Sequence, residues 1–358
     1  MLPDAEFLLR GPRGRRLCLE LAMEADPDIR RAALDLGYDL DPGAGRSRVM
    51  LRLSGSPGHE PEPVPASPTV AEVAAGIASL NLRVVDSALV QYSLQRSVDT
   101  ARYWQSPEGE DVLADTDAVT AALAHIAARV LESPATHWWS QGFQPSQWAI
   151  DWRPANDPAP LPRKPLQTLA EWARKERAEE ARAAWERPKD PQANFGGEWW
   201  SIPHGILQTV PLIPEGLNLV EDSLGWEDAT TVPVSGTGRV LEIHTAEDWM
   251  DLCRAFPLEV TASRRHDWFR TTARLGRWVI PDWELAATEW DAVHLTVTGY
   301  LNAAGRALTV DQDTATVIAG WDPGSTLWLT DVARESGQPR QFWHRPANQD
   351  EWTQIQTN

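Results

Sequence analysis

The sequence predicts an α+β protein in three parts. A mostly helical N-terminal domain covers residues 1–153. A proline-rich linker and a charged connector helix cover 154–195, and an antiparallel β-rich, tryptophan-rich domain covers 196–358. Three observations carry this. Apolar residues recur at helical spacing, with caps, through the first half. Pro154, Pro158, Pro160 and Pro162 cluster ahead of a long charged stretch. Beyond it, Ala292–Leu301 alternates apolar and polar residues, and short turns follow one another.

The elements read in chain order as follows. Phe7–Leu9 and Val49–Leu53 are short apolar runs, and a helix is expected around Arg16–Met23. Asp41-Pro-Gly-Ala-Gly45 reads as a turn. It has the glycines of a phosphate loop but no lysine after them. Ser54–Ser67, with four prolines and two glycines, reads as an extended linker. A helix to about Leu80 then starts either at Ser67-Pro68 or at the capping box Thr69/Glu72. Two more run from about Asp86 to Trp104 and from Asp115 to Leu131. The latter carries Val119, Leu123, Ile126 and Val130 on one face. His137–Trp152 holds four tryptophans, expected to pack back over these helices.

Pro165–Arg187 reads as one long helix stopped by Pro188. Leu166, Leu169, Ala173, Ala181 and Ala184 form its narrow apolar stripe, and Glu171 and Lys175 make an i,i+4 pair. It suits a strut laid along one domain, or a short coiled-coil seam. In the last part, Thr245 and Asp248 are spaced as a capping box, and Trp249, Leu252, Cys253 and Phe256 share the face behind it. Asp282 likewise caps a helix that buries Trp283, Ala286, Ala287 and Trp290. Ala292–Leu301, Arg306–Val310, Thr314–Ala319 and Thr326–Thr330 are expected as four strands of an antiparallel meander, with a type II turn at Pro323-Gly324.

The formal net charge is −18, and residues 197–358 alone carry 11 basic and 23 acidic residues. Such a surface repels phosphate backbones and anionic lipid, which argues against nucleic-acid and membrane partners. No run of about 18 apolar residues suggests a membrane span. In the first sixteen residues acids precede the apolar stretch and arginines follow it. That reverses a secretory signal and predicts a cytoplasmic protein. Cys18 and Cys253 are far apart, so neither a disulfide framework nor a thiolate metal site is expected. Arg10, Arg13, Arg15 and Arg16 are the one dense basic cluster of the first part. It suits a phosphate, an acidic partner or internal pairing.

Nineteen tryptophans are present, and many touch a carboxylate in sequence, among them Glu198-Trp199, Asp248-Trp249, Asp267-Trp268, Asp282-Trp283 and Trp321-Asp322. Two of these pairs resolve into helix caps, as above. What is left is a polar, aromatic set: Trp268, Trp321, Asp322 and Trp328, with His294 and Tyr300 on the polar side of their strand and His244 at a strand end. Amphipathic rings beside acids can form a binding face or stand over a core. No HExxH, no closely spaced histidine pair, no G-x-S-x-G and no P-loop occurs, so no metal or cofactor is predicted. An acid pair beside stacking rings would also suit glycoside chemistry.

The segments Ala101-Arg-Tyr-Trp104-Gln, Glu242-Ile-His244, Trp290-Asp291-Ala-Val-His294, Gly299-Tyr300-Leu301, Gly320-Trp321-Asp322 and Thr326-Leu-Trp328-Leu are similar to those of tryptophan-rich proteins from GC-rich Gram-positive bacteria. That resemblance implies no particular activity. The C-terminal layout also looks like ADP-ribosyltransferase-like domains. This likeness implies a His or Arg on an early strand, a Tyr or Ser on a middle one and a late Glu. His244 and Tyr300 would fill the first two places, and Asp322 offers only an aspartate for the third. The leading expectation is a protein that binds a small molecule or a protein partner through His244, Trp268, His294, Tyr300, Trp321, Asp322 and Trp328. The alternatives are an enzyme on a nucleotide-like substrate and an acidic partner-inhibiting protein.

Overall fold

The computed structural model describes residues 4–43, 68–82, 85–154, 156–157, 159–223, 225–347, 349 and 351–356. The expected linker Ser54–Ser67, the run Val49–Leu53 and the end of the Asp41–Gly45 turn lie outside them. The architecture is α+β, as the sequence predicts. The helical part is richer than expected at its start. In place of one helix, α1 (Ala5–Leu9), α2 (Pro12–Ala25) and α3 (Pro27–Leu40) follow one another, each of the last two opening on a proline. Then come α4 (Val70–Ser79), α5 (Ser87–Asp99), α6 (Gly109–Ala114) and α7 (Asp117–Glu132). Thr69 and Glu72 form the capping box that starts α4.

The basic cluster on α2 is mostly turned inward. Arg13 pairs with Asp111 at 2.8 Å, and Arg16 with Glu20 at 2.7 Å and Glu108 at 3.2 Å. Both guanidiniums are buried, and the pairs to Asp111 and Glu108 fasten α2 to α6 rather than presenting charge outside.

Among the described residues, the strands form three sheets. The first has the order β1 (Ser146–Asp151), β3 (Asp228–Gly236), β12 (Gln341–His344), β13 (Thr353–Ile355), with β11 (Ala333–Glu335) also on β3. The second runs β2 (Gln208–Thr209), β10 (Thr326–Trp328), β7 (Ala292–Leu295), β4 (Val240–Ile243). The third runs β5 (Pro257–Glu259), β6 (Arg277–Pro281), β9 (Thr314–Thr316), β8 (Leu308–Thr309). Most pairs are antiparallel, but β4–β7 and β6–β9 are parallel.

The expected four-strand meander is therefore corrected. The hairpin β8–β9 forms across Asp311–Asp313, but β10 joins β7 in another sheet. Ala292–Leu301 is not one strand either. It is a strand of four residues, and Thr296 then caps the helix α13 (Val297–Ala303), accepting from Gly299 N at 3.0 Å. Tyr300 is helical as a result. The first four residues do form a strand, but it is buried on both faces, His294 included, and the Thr-Val-Thr-Gly cap chemistry ends it.

The remaining helices are α8 (Pro165–Glu186), α9 (Glu215–Asn218), α10 (Ala246–Ala255), α11 (Thr261–Thr272) and α12 (Trp283–Ala286). The Thr245/Asp248 capping box starts α10 with both reciprocal bonds, and Trp249, Leu252 and Cys253 are buried behind it. Thr245→Ala should cost about 1 kcal/mol of unfolding free energy, read by urea titration. Asp282 caps α12 by accepting from Leu285 N.

The long helix α8 is a docked strut. Leu169, Ala173 and Ala183 are buried, while Leu166, expected on the same stripe, is 57% exposed. Its main attachments are polar. Glu180 accepts from Ala262 N at 2.7 Å and Ser263 N at 2.8 Å, supplying from outside the cap that α11 lacks in its own sequence. Glu176 pairs with the buried Arg264 at 2.7 Å, and Arg177 bonds Asp282.

The main apolar cluster runs from Leu8 to Leu329, so the N-terminal helices and the β-rich part share buried contacts. At its centre Trp249, Trp283 and Trp321 form a triangle with ring centroids 5.9–6.0 Å apart.

Candidate functional site

Three of the residues expected to present ligand-facing rings do not. Trp268 and Trp321 are fully buried and Trp328 is 1% exposed. Trp268 Nε1 donates to Trp199 O at 3.0 Å, and Trp328 Nε1 to Thr209 Oγ1 at 2.8 Å. Trp321 sits in the core triangle. The open aromatic face read from these three tryptophans is therefore corrected. Each ring is surrounded by apolar neighbours, and burying an indole removes one of the largest apolar surfaces in the chain from water.

Other aromatics take that place. Trp104, Phe195 and Trp199 wall an open depression of about 490 Å³, joined by Asp222, Asp267 and Arg270. Trp104 and Trp199 are partly exposed, with ring centroids 4.8 Å apart and planes tilted by 42°. Phe195 is 37% exposed. Trp199 is held from three sides: it stacks on Trp200 at 4.2 Å and on Tyr103 at 5.7 Å, and its carbonyl takes the Trp268 indole. Gly320 makes this possible. It has φ +75°, and a Cβ there would stand 2.4 Å from Trp200 Cδ1.

One arginine ties the walls together. Arg270, from α11, donates Nε to Trp104 O at 2.8 Å, Nη1 to Phe195 O at 2.7 Å and Nη2 to Asp267 Oδ1. Asp267 Oδ2 in turn accepts from Gly197 N at 3.1 Å and Glu198 N at 3.3 Å. Gly196 must be glycine for this approach, since a Cβ would lie 2.8 Å from Asp267 Oδ1. Burial still pushes the Asp267 carboxyl above its ordinary value, despite Arg270. Asp222 pairs with Arg102 at 3.2 Å.

Behind the Trp199 wall lies a proton-rich cluster. The hydroxyls of Tyr103 and Tyr300 both donate to Glu221 Oε1, the latter at 2.7 Å. Glu221 N donates to Asp322 Oδ1 at 3.2 Å, and Glu221 Oε2 is buried with no partner among the described residues. Burial, then the neighbouring Asp322, push the Glu221 carboxyl up to about 8. Burial pushes Asp322 up to about 6. Both tyrosines are held well above their ordinary range by burial and then by the Glu221 charge. The arrangement stores a proton on Glu221 near neutral pH and holds Tyr103, and through it Trp199, in place.

The other expected residues are placed elsewhere. His244 lines a separate cavity of about 970 Å³ and pairs with Glu242 at 3.0 Å. His294 is buried with Nδ1 2.9 Å from Thr326 Oγ1, lines a third cavity of about 310 Å³, and is pushed down to about 4 by burial. The structure thus brings Trp268, Tyr300 and Asp322 to the back of the aromatic depression. His244, His294 and Trp328 are not at it, and Tyr300 is fully buried while His244 faces a cavity. The residues that sequence reading missed are Trp104, Phe195, Trp199, Glu221, Asp222 and Arg270. The signals available were Tyr103-Trp104 and Glu198-Trp199, each visible alone. Nothing in the spacing joins two segments so far apart. Among the described residues, no group of three or more His, Cys, Asp or Glu is placed to hold a metal ion, and no helix is long and apolar enough to cross a membrane.

The chain matches no protein-family model, no curated protein and no solved structure.

Proposed function

We propose that this is a ligand-binding protein, and that its ligand is a small uncharged ring compound, a sugar or a nucleoside, seated against the exposed edges and faces of Trp104 and Trp199. The observation that carries this is the pair of partly exposed indoles, 4.8 Å apart, braced over a depression of about 490 Å³. Tilted indoles offer stacking surface to any flat or puckered ring. The charges of the site are already paired within it, Asp267 with Arg270 and Asp222 with Arg102. An ionic ligand therefore has no counter-charge to meet here, whereas hydroxyl or amino hydrogens find carboxylate and backbone acceptors. Asn194 adds an exposed amide on the rim.

Intrinsic fluorescence tests the reading, because the ligand would touch two of the indoles. Titration with sugars and nucleosides should give saturable quenching with one of the two classes. Trp104→Ala should weaken that binding about tenfold to a hundredfold, the magnitude of losing one ring-stacking partner at about 1–3 kcal/mol. Trp104→Phe should restore most of it. Absence of saturable binding by every member of both classes, or an unaffected Trp104→Ala variant, would reject the site.

A further inference from the structure

The helices α1 and α2 meet at Gly11, which has no room for a side chain: a Cβ there would lie 1.9 Å from Leu301 O. This contact presses the α1–α2 bend onto the C-terminal turn of α13. Three guanidinium groups come together there. Arg10 ends α1, Arg15 lies early in α2, and Arg306 follows α13. They wall a cavity of about 410 Å³ whose lining also includes Arg13 and Arg102 and the carboxylates Glu108, Asp111 and Asp115, so five guanidiniums face three acids there. Arg10 and Arg306 line the neighbouring 970 Å³ cavity as well, so they stand at the boundary between the two.

Arg13 and Arg16 are consumed by buried ion pairs, whereas Arg10 and Arg15 pair only with the exposed acids Glu6 and Asp115. Arg306 donates Nη1 to Asn302 O at 2.9 Å and makes no ion pair among the described residues. Burial, Arg15 and Arg10 hold its pKa below the ordinary arginine range, so its charge meets mostly like charge. Arg15 pairs with Asp115 at 2.5 Å and donates Nη1 to Leu9 O at 2.9 Å and Arg10 O at 3.1 Å, so it contributes positive charge to the cavity rather than a free donor. The acid on Arg10 is Glu6, and both groups of that pair are exposed, which makes it weak. In a chain of net charge −18, a partly buried Arg306 with no ion pair among the described residues, set beside two further arginines, favours the arrival of an anion.

The geometry points to an anion-binding site between Arg10, Arg15 and Arg306 that takes the phosphate group of a small metabolite. Guanidinium forks match the oxygens of a phosphate, and a doubly charged group offsets the excess better than a single carboxylate. The cavity is larger than a bare phosphate, leaving room for the rest of a small phosphorylated compound. The site is distinct from the aromatic depression, although Tyr103 lines one and Trp104 the other.

Calorimetric titration of inorganic phosphate and of a sugar phosphate into the full chain, at constant ionic strength set with chloride, tests this. One saturable site is expected, tighter for the sugar phosphate. Arg306→Gln should weaken it by at least about tenfold, with Arg306→Lys intermediate, and Trp104→Ala should leave it unchanged. In phosphate-free buffer Arg306→Gln should unfold at the same or a higher temperature than the parent, because it relieves like-charge repulsion. An arginine serving only to hold the fold would instead lower that temperature. No saturable phosphate binding by the parent chain, or parent-like binding by Arg306→Gln, overturns the proposal.

Discussion

Replacing Arg264 with Met should destabilise the protein by about 3–5 kcal/mol at neutral pH, among the largest losses available to a single substitution in this chain. Arg264 is 1% exposed on α11, and it faces Glu176 of α8 at 2.7 Å with 12% of that side chain exposed. It also donates to Trp200 O and Ser263 Oγ, each at 3.2 Å. Removing the guanidinium leaves Glu176 as an unpaired carboxylate in the α8–α11 seam, and two further acceptors lose a donor. Burial already holds the Glu176 carboxyl above its ordinary value even with Arg264 present. Without Arg264 that upward push is stronger, so Glu176 escapes the penalty by taking a proton. The loss should therefore shrink as pH falls below neutral. Urea unfolding at two pH values measures both effects. The double variant Arg264→Met, Glu176→Leu should recover most of the stability, since a buried pair and an apolar pair of similar volume are often near equal. A double variant no better than the single would show that the cost lies in packing around Trp200, not in the stranded charge.

That seam also shows how much of the molecule was legible in the sequence. The extent of α8 was, because proline opens it, proline follows it and its charge pattern is helical throughout. Its docking was not. Glu176, Arg177 and Glu180 read as solvated charge, and only the fold reveals that Glu180 caps α11 from another helix. Local chemistry was read well wherever it was local: the boxes at Thr69 and Thr245 and the cap at Asp282 all formed. Pairing between strands was not local, and β7 and β10 found each other across a segment containing α13, β8 and β9.

The candidate site divides along the same line. Tyr300 and Asp322 were singled out for polarity and lie behind the Trp199 wall, yet the group that unites them, Glu221, sits in an unremarkable Val-Glu-Asp-Ser stretch. Tryptophans beside acids suggested exposed rings. The fold instead uses most of those acids as caps or as partners for arginine, and buries Trp249, Trp268, Trp283, Trp321 and Trp352, while Trp185 stays 92% exposed. Trp199 stays partly exposed because it lies in the irregular stretch that follows Gly196-Gly197, not on a periodic helix face.

Glu221 carries the second large effect, and its sign is set by the direction in which burial moves its carboxyl. In the folded protein that carboxyl titrates at about 8, against an ordinary value of 4.5. The folded state therefore keeps a proton that the unfolded chain releases. This stability is fully present below about pH 4.5 and is lost as pH rises through 8. Asp322, at about 6 against 3.8, adds a second loss that starts and ends lower. At about 1.4 kcal/mol for each pH unit between the folded and unfolded values, Glu221 alone is worth on the order of several kcal/mol between acid and mildly alkaline solution. Glu221→Gln removes the titration while keeping an oxygen for the two tyrosine hydroxyls. The variant should be close to the parent at pH 5 and clearly more stable at pH 9, with a flatter profile between. It should also keep Trp199 in place at pH 9, where the parent, forced to bury two carboxylates within one hydrogen-bonded cluster, should loosen the wall and change its tryptophan emission. Parent and variant profiles that superimpose from pH 5 to pH 9 would mean that Glu221 ionises freely in the folded protein. The unpartnered Oε2 would then be facing water, and the Tyr103–Glu221–Tyr300 brace would carry no stored proton.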